Sequence, residues 1–139
     1  MVEILQKSIH DVFKDSLGIE IEYCKHRPRQ KGYVAKIEFS YLNESGYAYL
    51  WIQRPTIKTV SEILLFEKNP DDEAIEDLVA ELANFIVGHS KMLASDKGLE
   101  CSIETPVFEG VKTLEDGLKT FLYKVGNRCL AIQIKGVDG

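Results

Sequence analysis

The first seventeen positions place Val2, Leu5, Ile9, Val12, Phe13 and Leu17 at helical spacing, with Gly18 as the stop. Apolar residues at that period form one stripe of an amphipathic helix, and a glycine just past its end suits a left-handed terminal residue. The stretch IEIEYCKHRPRQKGYVAKIEFSYL then reads as two strand-like pieces around a basic loop, Lys25 to Lys31, in which Pro28 belongs to a turn. Val34, Ile37 and Phe39 begin a strand, and Asn43-Glu44-Ser45-Gly46 supplies turn residues. Tyr47, Tyr49 and Trp51 alternate with Ala48, Leu50 and Ile52, which predicts a strand covered on both faces and closed by Pro55. Thr56 to Phe66 suits a helix, with Thr56 as its N-cap and Ile57, Val60, Ile63 and Leu64 as its apolar stripe.

Asn69-Pro70-Asp71-Asp72 opens the longest helical pattern, running to about Leu93, with acidic residues crowding the turn where the helix dipole favours them. Cys101–Ile103 and Val107–Val111 read as short strands separated by Pro106. The tail KTFLYKVGNRCLAIQIK reads as a hairpin turning at Gly126-Asn127. Without an internal repeat, linker or low-complexity tract, the pattern predicts an α+β fold: residues 1–139 as one domain, an antiparallel β-sheet with packed helices.

At about 100° per residue, Ile75, Leu78, Val79, Leu82, Ile86 and Leu93 of the long helix share one arc, the core face. Asp77, Glu81, Asn84, Gly88 and Lys91 recur at spacings of four, three, four and three and share another. A polar helix face is usually just solvated. Gly88 argues for more, because a glycine there costs about 1 kcal/mol relative to alanine while permitting a partner's backbone to come close. The arc then reads as a docking surface with a carboxylate and a carboxamide at its centre. The first can pair with a cation, and the second can both donate to and accept from a water molecule.

Composition narrows the field. Apolar residues make up 45% and charged residues 28%, and the formal net charge is −5, so the chain as a whole argues against binding nucleic acid. No apolar run reaches the roughly 20 residues of a membrane span, and Glu3, Lys7, Asp11 and Lys14 interrupt the region a signal peptide would need apolar. Cys24, Cys101 and Cys129 form no metal signature or disulfide framework and read as buried small hydrophobes in a reducing, cytoplasmic setting. There is no GxGxxG, P-loop or HExxH, and His10 and His26 have no nucleophilic partner in the sequence. His89 reads as a partly buried, hydrogen-bonded histidine, and the basic loop as solvated surface or an attraction for an acidic partner.

Asp77-x-x-x-Glu81-x-x-Asn84, the run Glu81-Leu82-Ala83-Asn84, Gly88, and Pro106 with Gly110 four residues on together resemble the signature of the CheC/CheX/FliY chemotaxis phosphatases, in the single-site CheX branch. The resemblance implies hydrolysis of the aspartyl phosphate on a CheY-like response regulator. Asn84 would orient the attacking water, Glu81 would engage a lysine of the regulator, and Asp77, Gly88 and Lys91 would contact that partner. Pro106 would be structural near the site. No metal or cofactor would be held by this chain, since the Mg²⁺ belongs to the regulator. The second motif of two-site relatives is missing, because Glu62 is followed by Leu65 where an asparagine would be needed. CheX-like proteins can pair through their sheets, so a homodimer is the expected assembly. The competing expectation is a non-catalytic module that uses the same face to bind a receiver domain or flagellar component.

Overall fold

The computed structural model describes residues 1–126 and 128–136. A seven-stranded, wholly antiparallel sheet carries three helices on one face. Its strands are β1 (Glu22–Tyr23), β2 (Gly32–Tyr41), β3 (Glu44–Ile52), β4 (Cys101–Ile103), β5 (Val107–Lys112), β6 (Lys119–Val125) and β7 (Arg128–Lys135). They run in the order β1-β6-β7-β3-β2-β4, and β5 also pairs with β2. The helices are α1 (Val2–Asp11), α2 (Arg54–Leu65) and α3 (Asp72–Asp96). The α+β architecture expected from the hydrophobic pattern is therefore the one observed.

Register decides which residues meet. Ala35 faces Leu50 and Leu50 faces Ile132, while Ile52 faces Leu130 and Leu130 faces Tyr123. Because side chains alternate along a strand, these residues line one face, and all are buried beneath the helices. The opposite face carries a smaller cluster of Val34, Trp51 and Ala131, closed by Leu114 from the β5–β6 connection. The central strand β3 is thus covered on both sides at its Trp51 end. Trp51 Nε1 donates to the Lys112 carbonyl at 2.9 Å, satisfying the polar handle of a residue only 1% exposed.

Three local expectations are corrected. The first helix does not stay α-helical to Leu17: Val12–Ser16 forms a π-helical turn, closed by Leu17 N–H donating to the Val12 carbonyl at 3.1 Å, before Gly18 (φ 66°) ends it. Thr56 is not the cap of α2. Gln53 occupies that position, and Pro55 neither closes β3 nor follows it directly but lies in the first helical turn, where its fixed φ is suited. Thr56 is instead buried inside that turn. The cysteines are half-buried rather than buried. The hairpin of β6 and β7 forms as expected; Asn127 of its turn lies outside the described residues.

Candidate functional site

Helix α3 is the platform. Asp71 caps it, its carboxylate accepting from the Ala74 N–H at 2.8 Å, with Asp72 and Glu73 in the first turn. Arg54 at the start of α2 reaches Asp72 at 3.3 Å and the Tyr33 hydroxyl at 2.6 Å, which ties the beginnings of the two helices together. Ile75, Leu78, Val79, Leu82 and Ile86 are buried, as are Ala83, Val87, Ser90 and Ala94, so the core face is wider than its apolar stripe. The reason is that α3 packs against α1 as well as against the sheet. At that contact the Ser8 hydroxyl donates to the Ile86 carbonyl, and Ser90 donates to the same carbonyl at 3.0 Å. Both bonds fasten α3 at the residue two places beyond Asn84.

The opposite arc is open. Asp77, Glu81 and Lys91 are exposed, and Asn84 and Gly88 are half-buried. Among the described residues, no hydrogen bond or ion pair involves the side chain of Glu81 or Asn84. The fold does not consume either group. Gly88 is equally unspent: a Cβ built there would meet only Ile103 Cδ1, at 3.9 Å, an ordinary contact. Nothing among the described residues therefore demands a glycine at that turn.

Asp77 and Glu81 border a groove whose apolar wall is Leu64 and Leu65 of α2 with Leu78 and Phe85 of α3. Phe85 is 47% exposed, Leu65 54% and Phe66 90%. Sequence reasoning missed this shoulder, assigning Ile63 and Leu64 to the apolar stripe of α2 and leaving Phe85 out of account. Ile63 is 37% exposed and Leu64 half-buried. The signal was present in the unbroken run Ile63-Leu64-Leu65-Phe66, which is more apolar surface than one stripe needs. Lys91 does not join the cluster. It lies about 15 Å along the helix from Glu81 at 1.5 Å per residue and lines a separate polar recess with Ser40, Ser95 and Ser102.

Pro106 sits in the break between β4 and β5, which pair along the same edge of β2. Glu104 N–H donating to the Glu38 carbonyl at 2.9 Å holds the break against β2. A proline, lacking an N–H, suits an interruption of the ladder there. His89, half-buried as expected, bonds Asp11 at 2.9 Å. That hydrogen bond, aided by Lys7 against a smaller effect of burial, holds the Asp11 carboxyl below its ordinary value. His10 packs edge-on against Tyr23 and Tyr123. Among the described residues, no group of three or more His, Cys, Asp or Glu is placed to hold a metal ion, and no helix is long and apolar enough to cross a membrane.

Residues 33–114, which contain this platform, the break at Pro106 and the strands beneath them, match the family described as chemotaxis phosphatase CheX. The chain belongs to the CheX family. Crystal structures of similar fold agree. The chemotaxis protein CheX of Vibrio vulnificus is 18% identical, with a TM-score of 0.82 over 96% of this chain and 94% of that one. A CheC-like protein of a Shewanella species is 23% identical, with a TM-score of 0.78 over 99% and 97%. The Borrelia burgdorferi CheX–CheY complex with BeF₃ and Mg²⁺ contains a chain 19% identical, with a TM-score of 0.70 over 99% and 97%. At these identities the likeness speaks for the fold. No curated protein sequence matches the chain.

Proposed function

We propose that this chain hydrolyses the aspartyl phosphate of a CheY-like response regulator. The observation that carries the reading is the pair Glu81 and Asn84, one helical turn apart on the open face of a CheX-family helix and unused by the fold. The Glu81 carboxylate pairs with the ammonium of the regulator's active-site lysine, registering the two surfaces. The Asn84 carboxamide then lies beside the acyl phosphate, accepting from the attacking water through its oxygen and donating to it through its nitrogen. Fixing that water in line with the scissile P–O bond is positioning catalysis. The Mg²⁺ that balances charge on the phosphoryl group belongs to the regulator, in keeping with the CheX–CheY–BeF₃–Mg²⁺ composition of the Borrelia burgdorferi complex.

Asp77 lies one turn before Glu81 and extends the acidic border of the contact, and Gly88 leaves clearance beyond Asn84. Lys91, at the far end of the arc, contacts only the periphery of a bound receiver domain. The exposed Leu65, Phe66 and Phe85 favour a second reading, a module that binds a receiver domain without hydrolysing anything, since an apolar shoulder supports affinity whether or not chemistry follows. Turnover separates the two. Substoichiometric amounts of this chain should shorten the lifetime of a phosphorylated regulator from the same organism. Binding with an unaltered lifetime would establish the module instead.

A further inference from the structure

Cys24 and Cys129 are 105 positions apart in sequence, yet their sulfurs lie 3.3 Å from one another. The topology explains how they meet. β1 stands at one edge of the sheet and β2 near the other, with β6, β7 and β3 between them. The connection beginning at Cys24 must therefore cross those strands, and it passes the start of β7, where Cys129 lies. Cys24 N–H still bonds the Leu122 carbonyl of β6 at 3.0 Å, while its thiol also reaches the His26 carbonyl at 3.2 Å. Cys129 N–H is held by the Gln53 side-chain carbonyl at 2.8 Å. Arg27 anchors the far part of the strap, donating to the Glu115 carbonyl at 2.6 Å and lying 3.6 Å from Asp116.

From this pairing we propose that Cys24 and Cys129 are a redox modification site that closes an intramolecular disulfide on exposure to an anionic low-molecular-weight disulfide such as oxidised glutathione. Both thiols line an open cleft whose other walls include Arg27, Arg29 and Arg128. That cationic rim draws in a carboxylate-bearing disulfide. The Cys24 thiolate attacks one sulfur of the oxidised tripeptide. One reduced glutathione leaves as thiolate and takes up a proton, and a mixed disulfide remains on Cys24. Cys129 then loses its proton and displaces the second glutathione from Cys24, forming the protein disulfide. Overall two thiols are oxidised and one glutathione disulfide is reduced. Burial, reinforced by the contact with Cys24, pushes the Cys129 thiol up to about 11, which suits it to the second, intramolecular step rather than the first. The sulfurs must close from 3.3 Å to about 2 Å, a movement available to Cys24, which lies just outside β1. The product pins the basic strap 25–31 to β7. Cys101, half-buried on β4 at the far edge of the sheet, takes no part.

The test treats the reduced full-length chain with oxidised glutathione, then alkylates it and maps its peptides without reduction. The expected result is one crosslink, Cys24 to Cys129, within a monomer, with Cys101 still open to alkylation. The thermal midpoint should rise by roughly 5–10 °C, reversibly with reductant, because the ring closed is long. Cys24→Ser and Cys129→Ser should each abolish crosslink and shift, and Cys101→Ser should leave both. Three alkylatable thiols, a persistent mixed disulfide at Cys24, or a crosslink between chains would each overturn the proposal. A Cys24–Cys129 bond that formed without raising the midpoint would equally overturn the pinning of the strap.

Discussion

Replacing Gly88 by alanine separates stability from function at a single atom. A glycine inside an exposed helix costs about 1 kcal/mol relative to alanine. In most buried helices that gain is offset by a clash, but here the new methyl meets only Ile103 Cδ1 at 3.9 Å. One such contact adds about 0.1–0.2 kcal/mol of dispersion and no strain. Gly88→Ala should therefore stabilise the protein by about 1 kcal/mol, which for a chain of this size raises the thermal midpoint by roughly 3–5 °C. The same methyl stands one turn beyond Asn84, in the clearance assigned to the regulator, and should slow acyl-phosphate hydrolysis about tenfold or more, as a small misplacement of reacting groups does. Thermal unfolding by circular dichroism and the lifetime of the phosphorylated regulator read the two effects. A stabilised variant with full activity would show that nothing approaches the helix at Gly88, and a destabilised one would show that the fold itself requires the glycine.

Three other outcomes follow from named contacts. Gly32→Ala places a Cβ 2.6 Å from Trp51 Cε2 and 3.0 Å from the Ile52 carbonyl, against a buried indole. It should cost about 3 kcal/mol in urea unfolding, and an unchanged midpoint would mean that Trp51 yields. Asp11, whose folded carboxyl is held low by His89, contributes stability that is present above its unfolded value near pH 4 and lost as the pH falls through the lower folded value. Since both side chains are 25% exposed, Asp11→Asn should remove no more than about 1 kcal/mol of that acid-side dependence, and a pH–stability profile identical to wild type would refute the coupling. Glu81→Ala should weaken regulator binding about tenfold, most visibly at low salt; an unchanged affinity and rate would remove Glu81 from the mechanism.

The elements were legible where burial follows one strong period. Burial alternates along β2 from Ala35 to Phe39 and along β3 from Gly46 to Leu50 because those stretches present one face to the helices, whereas β7 is buried continuously from Leu130 to Ile134; the five-residue arc from Asp77 to Lys91 lies away from the packed side of α3. Sequence alone did not reveal the strap, because the meeting of Cys24 with Cys129 is decided by the order of strands in the sheet. The cap of α2 was misplaced for a related reason. Thr56 has the chemistry of an N-cap, but Pro55 is compatible with the first helical turn and the cap lies three residues earlier, at Gln53. The arc itself was legible, yet its apolar shoulder was not: Phe85 and Leu65 lie on different helices, and only their packing brings them to one groove beside Glu81. Lys91 shares the arc by angle but is separated by length, which a helical wheel discards.

Single-turnover decay of a phosphorylated regulator, at concentrations of this chain that saturate binding, isolates the chemical step from affinity. The wild-type chain should accelerate the decay, and Asn84→Ala should return it to the regulator's own autohydrolysis rate while remaining bound, a loss of about a hundredfold or more if the carboxamide positions the water. Decay through bound Asn84→Ala that matches the accelerated wild-type rate would contradict the assignment of Asn84.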